Sequence, residues 1–326
     1  MKLRLATLAL AGFVVLSVGA SAQMIRREGP PSRPFARSEM ASPSTEVPML
    51  PGDDLLLEVK IDGQGPYRFA LDTGAAGGGR ISQTLAETLK LKVIGQARGG
   101  DPSGQNTQTL NIVEAGTLTL GGATWSGVHL AVRNLPDRGL DGILGFGLFQ
   151  DFLLTLDYPV RQVRIEKGEL PPADGREVLG FEDPNGIPQI RLKIGELEIP
   201  ADVDSGNMQG ELVLPASYLG KVPLESEPKV VGHGRTGFNE FEIKQAPLKG
   251  GVQVGAATVD RPRVDFVEIF PHANIGQAFL RRFAVTIDQK NHRIRFKLPA
   301  STASGAPSPN PPSPPSRTGN TLSIAA

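Results

Sequence analysis

Phe69-Ala70-Leu71-Asp72-Thr73-Gly74-Ala75 has a counterpart 132 residues later, Ala201-Asp202-Val203-Asp204-Ser205-Gly206-Asn207. Each is an apolar strand that ends in Asp-[Thr/Ser]-Gly. A lone Asp-Thr-Gly carries little weight, because roughly a few per cent of chains this long contain one by chance. The pair gains meaning from its neighbours. Ile143-Leu144-Gly145-Phe146-Gly147-Leu148-Phe149 runs on to Phe152, Thr155, Asp157, Val163, Arg164 and Ile165. At an offset of 131, Asn274-Ile275-Gly276-Gln277-Ala278-Phe279-Leu280 runs on to Phe283, Thr286, Asp288, Ile294, Arg295 and Phe296. Between these blocks, Leu118-Thr119-Leu120-Gly121 matches Val252-Gln253-Val254-Gly255 at 134. Three blocks in one order, with offsets that differ by small loop changes, make the core a single unit written twice, roughly residues 52–168 and 178–298.

The period within each unit is that of strands. Leu55, Leu57, Val59 and Ile61 alternate before Asp62-Gly63-Gln64-Gly65-Pro66, and Ile190, Leu192 and Ile194 alternate before Gly195. Only short helices are expected, around Ser82–Leu89 and just after Gly145 and Gly276. The fold class expected is all-β: two homologous β-barrel-like lobes with a cleft between them.

Composition narrows the chemistry. The 326 residues include 39 glycines and 28 prolines, which favours short elements joined by turns over a helical bundle. Lysine plus arginine equals aspartate plus glutamate at 34 each, so there is no basic excess to recommend a nucleic-acid partner. Zero cysteine excludes disulfides, thiolate nucleophiles and Cys-ligated zinc. Four scattered histidines (129, 233, 272, 292) offer no metal-site spacing, and neither metal nor cofactor is expected.

The ends read differently from the core. Met1-Lys2-Leu3-Arg4, an apolar run to Ala20 and the small residues Ala20-Ser21-Ala22 form an export-signal pattern over 1–22, too short to span a bilayer. The expected location is therefore periplasmic or secreted, with no membrane span after signal removal. Residues 23–50, rich in proline and arginine, are expected to be a disordered linker or short pro-segment. Residues 299–326 are expected to be a disordered Pro/Ser-rich tail. The lobes then occupy 51–175 and 176–298.

A pseudo-twofold axis between the halves brings Asp72 and Asp204 face to face. Two touching carboxyls share one proton, because the second ionisation must be made beside the first charge. The ionised member can take a proton from water attacking a carbonyl while the protonated member donates to the carbonyl oxygen.

With these residues set out, the sequence resembles the aspartic proteases, in the two-lobed pepsin-like arrangement, and its first half is also similar to the retropepsin-like proteases. The resemblance rests on Gly65 to Ala75, Asp141-Gly142-Ile143-Leu144-Gly145, Asp204-Ser205-Gly206 and Asn274 to Phe283. It implies an aspartic endopeptidase with Asp72 and Asp204 as catalytic dyad. Thr73 and Ser205 would brace the two loops, with Gly74 and Gly206 beside the carboxylates. It also implies a glycine-rich flap over the cleft. The candidate is Arg98 to Gly104, including Gly99, Gly100 and Gly104; Gly232 to Gly237 is a second. An ordinary solvated hairpin turn reads either segment equally well. The implied partner is a peptide or protein substrate, and two lobes in one chain remove the reason to dimerise for catalysis, so a monomer is expected. Three positions depart from the family pattern: Asp202, Asn207 and Asn274. Asp202, Asn207 and a flap candidate that lacks the tyrosine of pepsin-like flaps motivate the alternative, a catalytically silent bilobal module that binds peptides or proteins of the cell envelope.

Overall fold

The structure, a computed structural model, describes residues 33–52, 55–100, 107–135, 139–207, 210–235, 240–299 and 321–323. The expected export signal lies outside them. The first half runs β1 (Arg37–Met40), β2 (Ser44–Pro48), β3 (Leu56–Ile61), β4 (Gln64–Asp72), β5 (Gly79–Ser82), helix α1 (Gln83–Thr88), β6 (Lys92–Gly100), β7 (Thr107–Leu120), β8 (Ala123–Arg133), β9 (Gly142–Gly145), a 3-10 turn at Phe146–Phe149, β10 (Leu153–Asp157) and β11 (Gln162–Glu166). The second half runs β12 (Leu179–Gly180), β13 (Gln189–Ile194), β14 (Leu197–Val203), β15 (Leu212–Pro215), β16 (Lys229–Arg235), β17 (Glu240–Pro247), β18 (Gly251–Val254), β19 (Ala257–Asp260), β20 (Arg263–Val267), β21 (Ala273–Ile275), helix α2 (Gln277–Leu280), β22 (Ala284–Asp288) and β23 (Arg293–Lys297). A short β24 (Thr321–Ser323) pairs in parallel with β16.

In the first half β3, β4, β9, β5, β8 and β7 pair in that order, and β7 returns to β3, which closes a six-stranded barrel. Alternation drives it: Leu57, Val59 and Ile61 point into the barrel while Glu58 and Lys60 face solvent. Asp62 and Gly63, both at positive φ, form the two-residue turn between β3 and β4, the geometry that suits a twisted hairpin. The second half repeats the order as β13, β14, β21, β15 and β20. Its closing hairpin is kinked: β17 pairs with β20, and β18 with β19 and β13. Pro247 and Pro262 stand at the kink and lack the N–H that a continuous ladder needs. Two backbone hydrogen bonds, Leu248 N to Pro262 O and Arg261 N to Gly250 O, carry the hairpin across it. The fold is therefore the expected all-β pair of lobes.

The lobes are not separate bodies. A six-stranded sheet in the order β12-β23-β22-β10-β11-β2 draws strands from both halves. At its centre β10 pairs with β22, and Thr155 sits opposite Thr286, its own repeat equivalent, with Oγ1 atoms 3.0 Å apart. A residue that pairs with its own counterpart marks the pseudo-twofold axis. One continuous hydrophobic core runs through both barrels and this sheet.

The expectation for 23–50 is corrected over its described part. Residues 37–48 form β1 and β2, which pair with β8 and β11, and Phe35, Met40, Val47 and Met49 are buried in the core. Prolines and arginines dominated the composition there, while the burying residues are few and spaced as edge strands. Most of the expected tail, 299–326, lies outside the described residues, and the strand within it departs from a wholly disordered reading.

Candidate active site

The sheet delivers the two Asp-[Thr/Ser]-Gly loops to the same axis. Asp72 ends β4, which runs parallel to β9; Asp204 follows β14, which runs parallel to β21. Thr73 N donates to Ser205 Oγ and Ser205 N donates to Thr73 Oγ1, each at 3.0 Å. Thr73 Oγ1 donates to Val203 O at 2.6 Å, and Ser205 Oγ to Leu71 O at 2.9 Å. Both hydroxyls are buried, and each is satisfied as donor and acceptor across the axis. The result is a crosswise brace between the loops.

Above the brace the carboxyls of Asp72 and Asp204 are buried and hydrogen-bond each other. The glycines make this approach feasible. A β-carbon on Gly74 would stand 2.5 Å from the Asp204 carboxyl carbon, and one on Gly206 would overlap the Asp72 carboxyl. Any side chain there would force the pair apart.

The pair is symmetric in backbone but not in donors. Asp72 accepts one hydrogen bond from its own loop, Gly74 N to Oδ1 at 2.8 Å. Asp204 Oδ1 accepts from Gly206 N at 2.9 Å and Asn207 N at 3.0 Å, and its Oδ2 accepts from Asn274 Nδ2 at 2.8 Å. Asn207 Nδ2 in turn donates to Asn274 Oδ1 at 2.8 Å and fixes that amide. Burial, followed by the charge of Asp204, pushes the Asp72 pKa up to about 7, against the pull of Arg80 and the Gly74 N–H. Burial also raises Asp204, but Asn274, Asn207 and Gly206 draw it back. The better-served carboxylate, Asp204, is the easier to ionise, so the shared proton belongs on Asp72.

Asn207 and Asn274, marked by the sequence as departures from the pattern, are thus part of the hydrogen bonding to Asp204. Their signal was available: they replace Ala75 and Ile143 of the first half, and both do so with an amide. Asp202 is half-buried, accepts from Gln189 Nε2 at 2.9 Å, and is pushed upward by that burial. Asp157 and Asp288 sit at strand ends; Asp288 Oδ1 accepts from Asn291 N at 3.1 Å, as a turn residue does. Among the described residues no cluster of His, Asp or Glu side chains is placed to hold a metal.

Of the flap candidate, Gly99 and Gly100 close β6 opposite Gln108 and Thr107, while Gly104 lies outside the described residues. This hairpin is exposed along nearly all of β6, Val93 and Ile94 included. The second candidate has Gly232 to Arg235 on β16, and its Thr236 and Gly237 lie outside the described residues. Arg80 on β5, whose charge reaches Asp72, had no place in the sequence reading.

Residues 57–148 match the model of a family described as aspartyl protease. The matched segment contains the Asp72 loop and Ile143-Leu144-Gly145 and ends before the second half. No curated protein matches the chain. Among the described residues no helix is long and apolar enough to cross a membrane.

Proposed function

We propose that the protein is an aspartic endopeptidase that hydrolyses extended peptides with Asp72 and Asp204 as its catalytic pair. The observation that carries this reading is the hydrogen-bonded pair of buried carboxyls on the pseudo-twofold axis, with Thr73, Ser205, Gly74 and Gly206 in matching positions around it. The aspartyl protease match over residues 57–148 supports the same general activity.

The asymmetry of donors assigns the roles. Asp204, ionised, takes a proton from a water held between the carboxyls as the water oxygen attacks the peptide carbonyl. Asp72, protonated, donates to the carbonyl oxygen, which becomes a hydroxyl of the tetrahedral intermediate. Collapse of that intermediate expels the amine, which leaves with the proton gained by Asp204, and Asp72 recovers its own. The step needs one proton on the pair, so it runs at acid to near-neutral pH. This shared-proton chemistry is that of the family resembled.

The basic start, apolar run and Ala20-Ser21-Ala22 of the N-terminus support an exported enzyme acting in the periplasm or outside the cell. The test is a digest of a diverse peptide library by residues 23–326, with and without pepstatin. Cleavage abolished by the inhibitor supports the reading, and no cleavage between pH 3 and pH 8 counts against it.

A further inference from the structure

Strand register sets out two equivalent rows beside the dyad, which the hydrolytic reading takes as the walls of its cleft. In the first half Ala70 pairs with Ile143, Ile143 with Arg80, and Arg80 with Ala131, a single row across β4, β9, β5 and β8. In the second half Asp202 pairs with Asn274, Asn274 with Val213, and Val213 with Asp265, the same row across β14, β21, β15 and β20. Each row begins two residues before a dyad aspartate. Side chains alternate on strands, so the row lies on the face opposite the buried Leu71, Ile81 and Leu144.

The rows are equivalent in backbone and opposite in chemistry. The first-half wall carries Arg80, and Arg133, two residues beyond Ala131 on β8, shares its face. The two guanidiniums act on each other: burial and the Arg80 charge both lower the Arg133 pKa. Among the described residues neither has an ion-pair partner, and Nη1 of Arg80 is buried without a hydrogen bond. Two cations set side by side with a buried, unmet donor leave a place for an anion. The second-half wall instead carries carboxyls. Asp202 is there, and Asp265 accepts from Gln245 Nε2 at 2.7 Å beside a small pocket lined by Val213, Phe241, Ile243, Val267 and Phe270. That wall offers an acidic group acceptors and apolar surface.

We propose that Arg80, seconded by Arg133, selects peptide substrates that carry an aspartate or glutamate side chain against the first-lobe wall. The inference rests on the hydrolytic reading above and adds the substrate class. An extended peptide in the cleft presents alternate side chains to the walls beside the dyad. A carboxylate on the first-lobe side meets the half-buried guanidinium of Arg80 in a charge-assisted hydrogen bond. The same side chain against the second wall meets Asp202 and Asp265. Selectivity and the direction in which the peptide lies thus come from one charge difference between equivalent rows.

The experiment uses peptide pairs that differ only by glutamate against glutamine at each position in turn. The wild type is expected to cut one glutamate peptide about 10- to 100-fold faster than its glutamine twin, the range of a hydrogen bond to a charged group. Arg80→Leu brings that ratio to about one, Arg80→Lys keeps part of it, and Arg80→Glu moves the preference to lysine. A uniform fall for all peptides, with the ratio unchanged, overturns the inference and leaves hydrolysis standing. Binding of the same pairs to Asp72→Asn, read by fluorescence anisotropy, separates the two claims. Tighter binding of the glutamate peptide, lost with Arg80→Leu, supports the inference even if no peptide is cut; equal binding overturns it.

Discussion

Thr73 and Ser205, equivalent residues of the two halves, exchange backbone-to-hydroxyl hydrogen bonds of 3.0 Å in both directions. Each hydroxyl is also a donor, so neither loop can move without breaking a buried bond in the other. Ser205→Ala or Thr73→Val should each destabilise the fold by about 1–3 kcal/mol, because a buried partner is left unmet. The double variant should cost clearly less than the sum, since both act on one network. Thermal unfolding of the four proteins reads the cycle, and strict additivity would count against a shared brace.

Gly74 and Gly206 bear on geometry, not charge. Gly74→Ala places a methyl against the Asp204 carboxyl and Gly206→Ala one against Asp72. Each should lower kcat by about 100-fold or more, since small displacements of reacting groups are costly. Circular dichroism checks that the barrels persist. Wild-type kcat in either variant would show that the carboxyls need not touch.

Asp72 gives a pH dependence of stability. Its pKa is raised from 3.8 to about 7 in the folded chain, so its contribution favours folding below pH 3.8 and is lost as pH rises to about 7. Asp72→Asn removes that loss. The variant should match the wild type at pH 4 and be more stable at pH 8, by as much as roughly 4 kcal/mol. Urea unfolding at the two pH values tests the sign; a variant less stable at pH 8 contradicts it.

Under the proposed chemistry, Asn274 bears on the acid limb of the rate profile. Its amide lowers the Asp204 pKa, so Asn274→Ala should raise that value and move the acid limb of kcat/KM to higher pH. The alkaline limb, set by loss of the proton on Asp72, should move less. Superimposable profiles would remove Asn274 from the site.

The repeat made the centre of this molecule legible. Paired residues across the axis are paired residues of the two sequence blocks: Thr73 with Ser205, Thr155 with Thr286. What escaped was whatever depends on a partner far away in sequence. Val47 on β2 reads as linker until β11 lies beside it, and the shared sheet is invisible when each half is read alone. Asn207 and Asn274 look like defects singly, and their roles emerge only when the Asn207 side chain is seen to hold the Asn274 amide that donates to Asp204. The kink at Pro247 and Pro262 shows the same limit: the prolines are plain in sequence, but the hairpin they bend is closed by bonds between residues 248 and 262.

The most direct measurement is kcat/KM on a cleaved peptide for Asp72→Asn and Asp204→Asn, each shown by unfolding to be native. Each variant removes one half of the shared-proton pair and keeps its shape. Both should lose activity by at least about 1000-fold, within the range that positioned acid and base groups contribute. Cleavage within a few-fold of wild type by either variant would contradict the assignment of the dyad.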